Sequence, residues 1–164
     1  MKKIVDLGCS HYIAHFSDPL SARYLWRGFK KKNFHGIHKL GPVVGRQPRN
    51  NSPLVHHTAD TWFLDNFGIR YRSESLFCTG DKTIASHYGN VYPIVPQNDH
   101  RFCWSPIIRD LFAEVELNFI NPKDTNSIVT LLEGASYTEA NLSDALIKGH
   151  EIMVNAPGFF ILAD

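Results

Sequence analysis

Tyr24-Leu25-Trp26-Arg27-Gly28-Phe29 sets one arginine among apolar and aromatic neighbours on both sides. The stretch reads as a buried strand that ends at its glycine. Arginine is rarely buried unless something pairs with it. Its planar, permanently charged fork suits a phosphate, and a glycine beside it lets a ligand approach the backbone. Taken alone, the stretch favours the plainer solution, an arginine paired to an internal carboxylate. The rest of the chain decides between the two.

Downstream, Ser52-Pro53 starts a helix: serine caps free N–H groups and proline suits the first turn. Apolar residues then recur at three- and four-residue steps from Leu54 to Phe67, and Gly68 ends the run. Ile69 to Phe77 is expected as a strand, with Ser73 and Ser75 two residues apart and so on one side of it. Asp81 opens a short helix through Tyr88 that packs Ile84, Ala85 and Tyr88 inward. Val91 to Pro96 is a strand whose prolines assign it to an edge or to strand ends, and Arg101 to Trp104 is extended. Ser105-Pro106 repeats the helix-start chemistry, with a stripe from Ile107 to Phe119 that carries Glu114-Val115-Glu116. Helices are expected over 126–133 and 141–148. Two closing strands, 150–154 and 159–162, flank the Ala156-Pro157-Gly158 turn.

Upstream, residues 3–7 read as a short strand or an entry segment, and Ser17-Asp18-Pro19 as the start of a turn or short helix. Residues 30–51 lack periodicity and read as one long loop. Within it Arg46 and Arg49 stand ahead of the best helix, whose N-terminus favours anions. They are either solvated or a second phosphate contact. Helices and strands intermix without regular βαβ repetition, which makes the class α+β, in a single domain over 1–164.

Composition narrows the function classes. With 17 basic and 16 acidic side chains among 164 residues, the charge lacks the excess of an electrostatic nucleic-acid binder. Lys30 to Lys32 is a local run, read as solvated. No apolar stretch approaches a membrane span. Three unpaired cysteines, Cys9, Cys78 and Cys103, suit buried thiols in a reducing, cytoplasmic setting. The nine histidines show no His-Glu-x-x-His or paired Cys-x-x-Cys spacing, so no metal is expected.

The ordered set of an Arg-Gly strand, a Ser-x-Ser segment and a late glutamate on an apolar strand resembles the arginine–serine–glutamate class of ADP-ribosyltransferases, over about residues 24 to 162. The resemblance implies that family's split mixed or antiparallel β-sheet core with flanking helices. It implies NAD as the substrate, with Arg27 on the phosphates and Gly28 offering backbone hydrogen bonds to the nicotinamide amide. Ser73 would match the structural serine and Ser75 the second hydroxyl, while Phe77 or Tyr88 would stack on the nicotinamide ring. Glu151 would be the catalytic glutamate. Glu114 and Glu116 sit in a helical stripe, whereas the family's glutamate sits on a strand.

Arginine-modifying relatives carry a second acid or glutamine where this chain has Gly149, which leaves the acceptor open between a protein side chain and a nucleic acid. The implied activity is mono-ADP-ribosyl transfer from NAD. The alternatives are NAD glycohydrolysis, action on another nucleotide such as a 2′-phosphorylated RNA end, and a non-catalytic binding protein. A small enzyme of this type would suit a toxin, a phage protein or a defence effector.

Overall fold

The computed structural model describes residues 2–18, 23–47 and 52–163. Arg49 lies outside them, as does Pro19 of the expected turn or helix start at Ser17-Asp18-Pro19. The architecture is α+β, with two antiparallel sheets and seven helices among the described residues. The first sheet runs β1 (Leu25–Phe29), β4 (Asn90–Pro96), β7 (Phe159–Leu162), β2 (Ile37–Leu40), and the second β3 (Leu76–Cys78), β6 (Ile152–Asn155), β5 (Arg101–Trp104). Every recorded strand pair is antiparallel. The helices are α1 (Lys2–Asp6), α2 (Ser10–Ile13), α3 (Pro53–Phe67), α4 (Lys82–Ser86), α5 (Leu111–Leu117), α6 (Thr125–Gly134) and α7 (Leu142–Lys148).

Helix α3 follows its local signals. Ser52 is extended and its Oγ accepts the Val55 N–H at 3.2 Å. Gly68 adopts the left-handed conformation and returns its N–H to the Leu64 carbonyl at 2.8 Å. Its buried face includes Val55, Ala59 and Phe63, but also His56 and Asp60. Helix α4 is likewise capped by Asp81, whose Oδ1 accepts from Thr83 and Ile84.

The closing strands β6 and β7 do not pair with each other. The 156–158 turn carries the chain from the middle of one sheet to the middle of the other. Between the sheets lies one core, built from Leu25, Ile94 and Ile161 on one side and Leu76, Ile152 and Phe102 on the other. A second core packs α3, α5 and α6 against the outer face of the second sheet through Phe63, Leu111, Leu132, Cys103 and Met153. Strand β6 is therefore buried on both faces, Ile152 and Val154 into one core and Met153 into the other. This explains its unbroken apolar run.

Several expectations are corrected. Residues 3–6 are helical in α1 and Leu7 lies in the turn after it, rather than in a strand. The long loop contains β2, an exposed edge strand whose two wet faces leave no alternation to read. Strand β4 is internal, not an edge. Trp26 exchanges both backbone hydrogen bonds with Thr79, so Pro93 opposite it sits at a non-hydrogen-bonded position and loses no bond to β1.

Residues 69–75 form a turn with bends on either side, not a strand, which starts only at Leu76, and Ser73 does not share a strand face with Ser75. The cause is Asp60, whose buried carboxylate accepts the N–H groups of Arg72 at 2.8 Å and Ser73 at 3.1 Å. Ser105 caps a single turn, its Oγ accepting from Ile107 and Ile108. The helix proper starts at Leu111 under Asp110, whose Oδ1 accepts the Ala113 N–H at 2.8 Å. Phe119, expected on the buried stripe, is exposed beyond the end of α5.

Candidate functional site

Where the two sheets part, a cleft of about 490 Å³ opens along β1, β3 and the segment before β6. Arg27, Gly28, Ser75, Phe77, Tyr88 and Glu151 all line it, although 124 residues of sequence separate the first from the last. Ser73 does not line it; its backbone serves the turn held by Asp60. Glu114 and Glu116 lie on α5 away from the cleft, Glu114 accepting from Asn118.

Arg27 reaches from β1 across to β3, where its Nη1 donates to the Phe77 carbonyl at 2.5 Å. Gly28 has a structural reason of its own. A Cβ there would stand 2.2 Å from the Ala85 carbonyl oxygen and 2.9 Å from the Tyr88 backbone, so only glycine lets α4 and its exit turn close on β1. Along an antiparallel strand the backbone groups alternate in direction. Since Trp26 bonds Thr79, the Gly28 N–H and C=O face the same way, off the side of β1 opposite β4.

Phe77 gathers cations. The guanidinium carbon of Arg46 lies 3.8 Å from its ring centroid and that of Arg72 lies 4.4 Å away. An aromatic face attracts such cations through its quadrupole. The ring expected to stack on a ligand thus already carries two guanidinium groups. Tyr88, expected to pack inward, is instead 53% exposed and stands at the cleft mouth. Partial burial, Asp110 and Glu151 push its phenol pKa up, while Arg109 opposes them.

Glu151 lies just before β6 rather than within it. Its Oε1 accepts from Arg72 Nη1 at 2.5 Å, in an ion pair whose side chains are 5% and 21% exposed. Arg72 is one of the functional residues that sequence reasoning misses. The packing argument applied to Arg27 would flag it, since Arg72 follows Tyr71 and is buried where Arg27 is only half-buried, but its segment reads as an ordinary strand. Arg109 and Asp110 are missed because the Ser105-Pro106 signal puts them inside a helix. They enter the cleft wall because the Glu151 N–H donates to the Arg109 carbonyl at 2.8 Å. Lys148 Nζ donates to Pro106 O at 2.9 Å, and His150 Nδ1 contacts Ser105 O at 2.9 Å.

Among the described residues, the cleft wall therefore holds four arginines, Arg27, Arg46, Arg72 and Arg109, against two carboxylates, Asp110 and Glu151. Arginines thus outnumber carboxylates among the described lining residues, a composition that suits an anionic ligand. Among the described residues, Arg72 Nε and Ser75 Oγ are buried polar atoms of the lining that meet no hydrogen-bond partner. Buried polar atoms are nearly always paired, so such atoms in a cleft wall fit a ligand's acceptors. Cysteine chemistry does not suit the site: burial pushes the Cys78 thiol up to about 12, far from the thiolate a nucleophile requires. Among the described residues, no group of three or more His, Cys, Asp or Glu side chains is arranged to hold a metal, and no helix is long and apolar enough to cross a membrane. No family model, curated protein or solved structure matches the chain.

Proposed function

We propose that this protein cleaves NAD and transfers its ADP-ribose to a macromolecular acceptor, a protein side chain or a nucleic acid, on an ADP-ribosyltransferase-like fold. The observation that carries the reading is the convergence of Arg27, Gly28, Ser75, Tyr88 and Glu151 on one cleft whose arginines outnumber its carboxylates. A diphosphate fits that excess, and the outward amide groups of Gly28 fit a carboxamide. Two sheets that part beside β1 and exchange the chain between β6 and β7 agree with the split core the resemblance implies.

In this reading Arg27 holds the diphosphate. Tyr88, exposed at the mouth, offers the face on which the nicotinamide stacks. Glu151 accepts the ribose 2′-hydroxyl and stabilises the oxocarbenium-like charge that develops as the bond to nicotinamide breaks. Arg72 aims that carboxylate into the cleft.

The test is incubation with NAD labelled in its ADP-ribose half, with and without cell lysate or nucleic acid. Label on a macromolecule together with released nicotinamide is the expected result. Glu151→Gln should lower nicotinamide release at least about 100-fold, the order seen when one group that stabilises transition-state charge is removed; unchanged release by a folded variant sinks the proposal. A second reading, NAD glycohydrolysis, is favoured by Gly149. It has a left-handed φ of +69°, and a Cβ there would stand 3.0 Å from Asp81 Cβ, so no acceptor-orienting side chain fits at that position. Free ADP-ribose as the sole product selects it.

A further inference from the structure

Two carboxylates of the described residues line the cleft, and only one has a role in breaking the bond to nicotinamide. Asp110 is half-buried, and its Oδ1 is engaged by the Ala113 N–H at the start of α5. Its position relative to Glu151 is set by short bonds. The Glu151 N–H holds the Arg109 carbonyl at 2.8 Å, and the 148–150 segment holds Ser105 and Pro106. Asp110 therefore stands beside Glu151 by construction. The exposed Tyr88 ring lines the same cleft as Asp110 and Glu151, and both acids push its phenol pKa up. At Gly149 the chain supplies no acid of its own, because the backbone there is left-handed and Asp81 crowds the space a side chain would need.

Resting on the NAD reading, we propose that Asp110 is the acceptor-side catalytic carboxylate: its Oδ2 takes the proton of a nitrogen nucleophile lying against Tyr88. A carboxylate attracts an amine or guanidinium and accepts its N–H, whereas a hydroxyl gains less from it. In the step, the acceptor nitrogen bonds to C1′ of the nicotinamide ribose and the C1′–N bond to nicotinamide breaks. That electron pair returns to the pyridine ring, neutral nicotinamide leaves, and the proton lost by the nitrogen passes to Asp110 and then to water. Glu151 stabilises the ribose and Asp110 selects what attacks it.

The variant that isolates this role is Asp110→Asn, because asparagine keeps the helix cap and removes only the charge. Wild type, Asp110→Asn and Glu151→Gln are incubated with labelled NAD and equal concentrations of agmatine and methanol. Free ADP-ribose, agmatine adduct and methyl adduct are then quantified. The measured quantity is the ratio of agmatine transfer to hydrolysis, which partial unfolding does not alter. The expected result is a ratio at least ten-fold lower in Asp110→Asn than in wild type. An unchanged ratio, transfer chiefly to methanol, or hydrolysis alone by the wild type overturns the assignment while leaving NAD cleavage standing. Absence of nicotinamide release from the wild type overturns the NAD reading, and this assignment with it.

Discussion

Arg72 shows how one side chain ties the frame to the chemistry. Its backbone N–H is fixed by Asp60, its guanidinium lies over Phe77, and its Nη1 holds Glu151. Both partners are mostly out of water, so removing one leaves the other charge buried and unpaired. Arg72→Met is expected to cost about 3 kcal/mol of stability, the lower end for breaking a buried ion pair, because Glu151 retains some solvent contact. Urea unfolding measures it, and Arg72→Met combined with Glu151→Leu should recover most of the loss. A single variant as stable as wild type would show that the pair holds nothing together. Sequence makes Glu151 visible as an acid at the head of an apolar run, but not its partner. Residues 72 and 151 meet only through the register of β3 and β6.

At the scale of elements, two glycines separate local from tertiary causes. Gly68 ends α3 with φ +73° and nothing within 4 Å of a would-be Cβ, so its demand is conformational alone. Gly28 has no such backbone demand but meets backbone atoms of α4. Gly68→Ala should cost about 1 kcal/mol, the strain of a left-handed non-glycine residue. Gly28→Ala should cost about 3 kcal/mol, since overpacking against backbone cannot be relieved by a rotamer change. Denaturant melts of the two variants check the order, and the reverse order would refute this division of causes. The same division explains which elements are legible in the sequence. Helix α3 carries its own start, stripe and stop. The turn at 69–75 depends on Asp60, a partner that no local pattern announces.

For the whole molecule, the N-terminal helices dock on the β4–β5 turn through imidazoles. His15 Nε2 lies 3.1 Å from His100 Nε2, His100 Nδ1 contacts the Gln97 carbonyl, and His11 faces Asp99 across 3.7 Å. With Nδ1 donating to that carbonyl, His100 Nε2 must accept from His15, so protonating His100 sets two N–H groups against each other. Burial foremost, with His15 and His11 adding to it against Asp99 and the Gln97 bond, depresses the His100 pKa from 6.5 to about 4, and His15 shifts the same way. The unfolded chain then binds more protons than the folded one between those values. Stability is full above pH 6.5 and is lost as the pH falls toward 4. Melting temperature measured from about pH 8 to about pH 4 should fall across that window, and His100→Gln should flatten the decline. A wild-type profile that stays level down to about pH 4.5 would contradict it.

By itself the sequence determined the α+β class, the ends of α3, the cap of α4, the apolar runs of β6 and β7, and the oddity of Arg27 and Glu151. Each of these is written in neighbouring residues, because capping, periodicity and the cost of burying a charge act over a few positions. Tertiary structure alone decided that β6 and β7 lie in different sheets, that Ser73 turns away while Ser75 faces the cleft, and that Arg72, Arg109 and Asp110 complete its wall. Those outcomes depend on contacts between distant segments, above all the Asp60 carboxylate on the 72–73 backbone and the Glu151 amide on the Arg109 carbonyl.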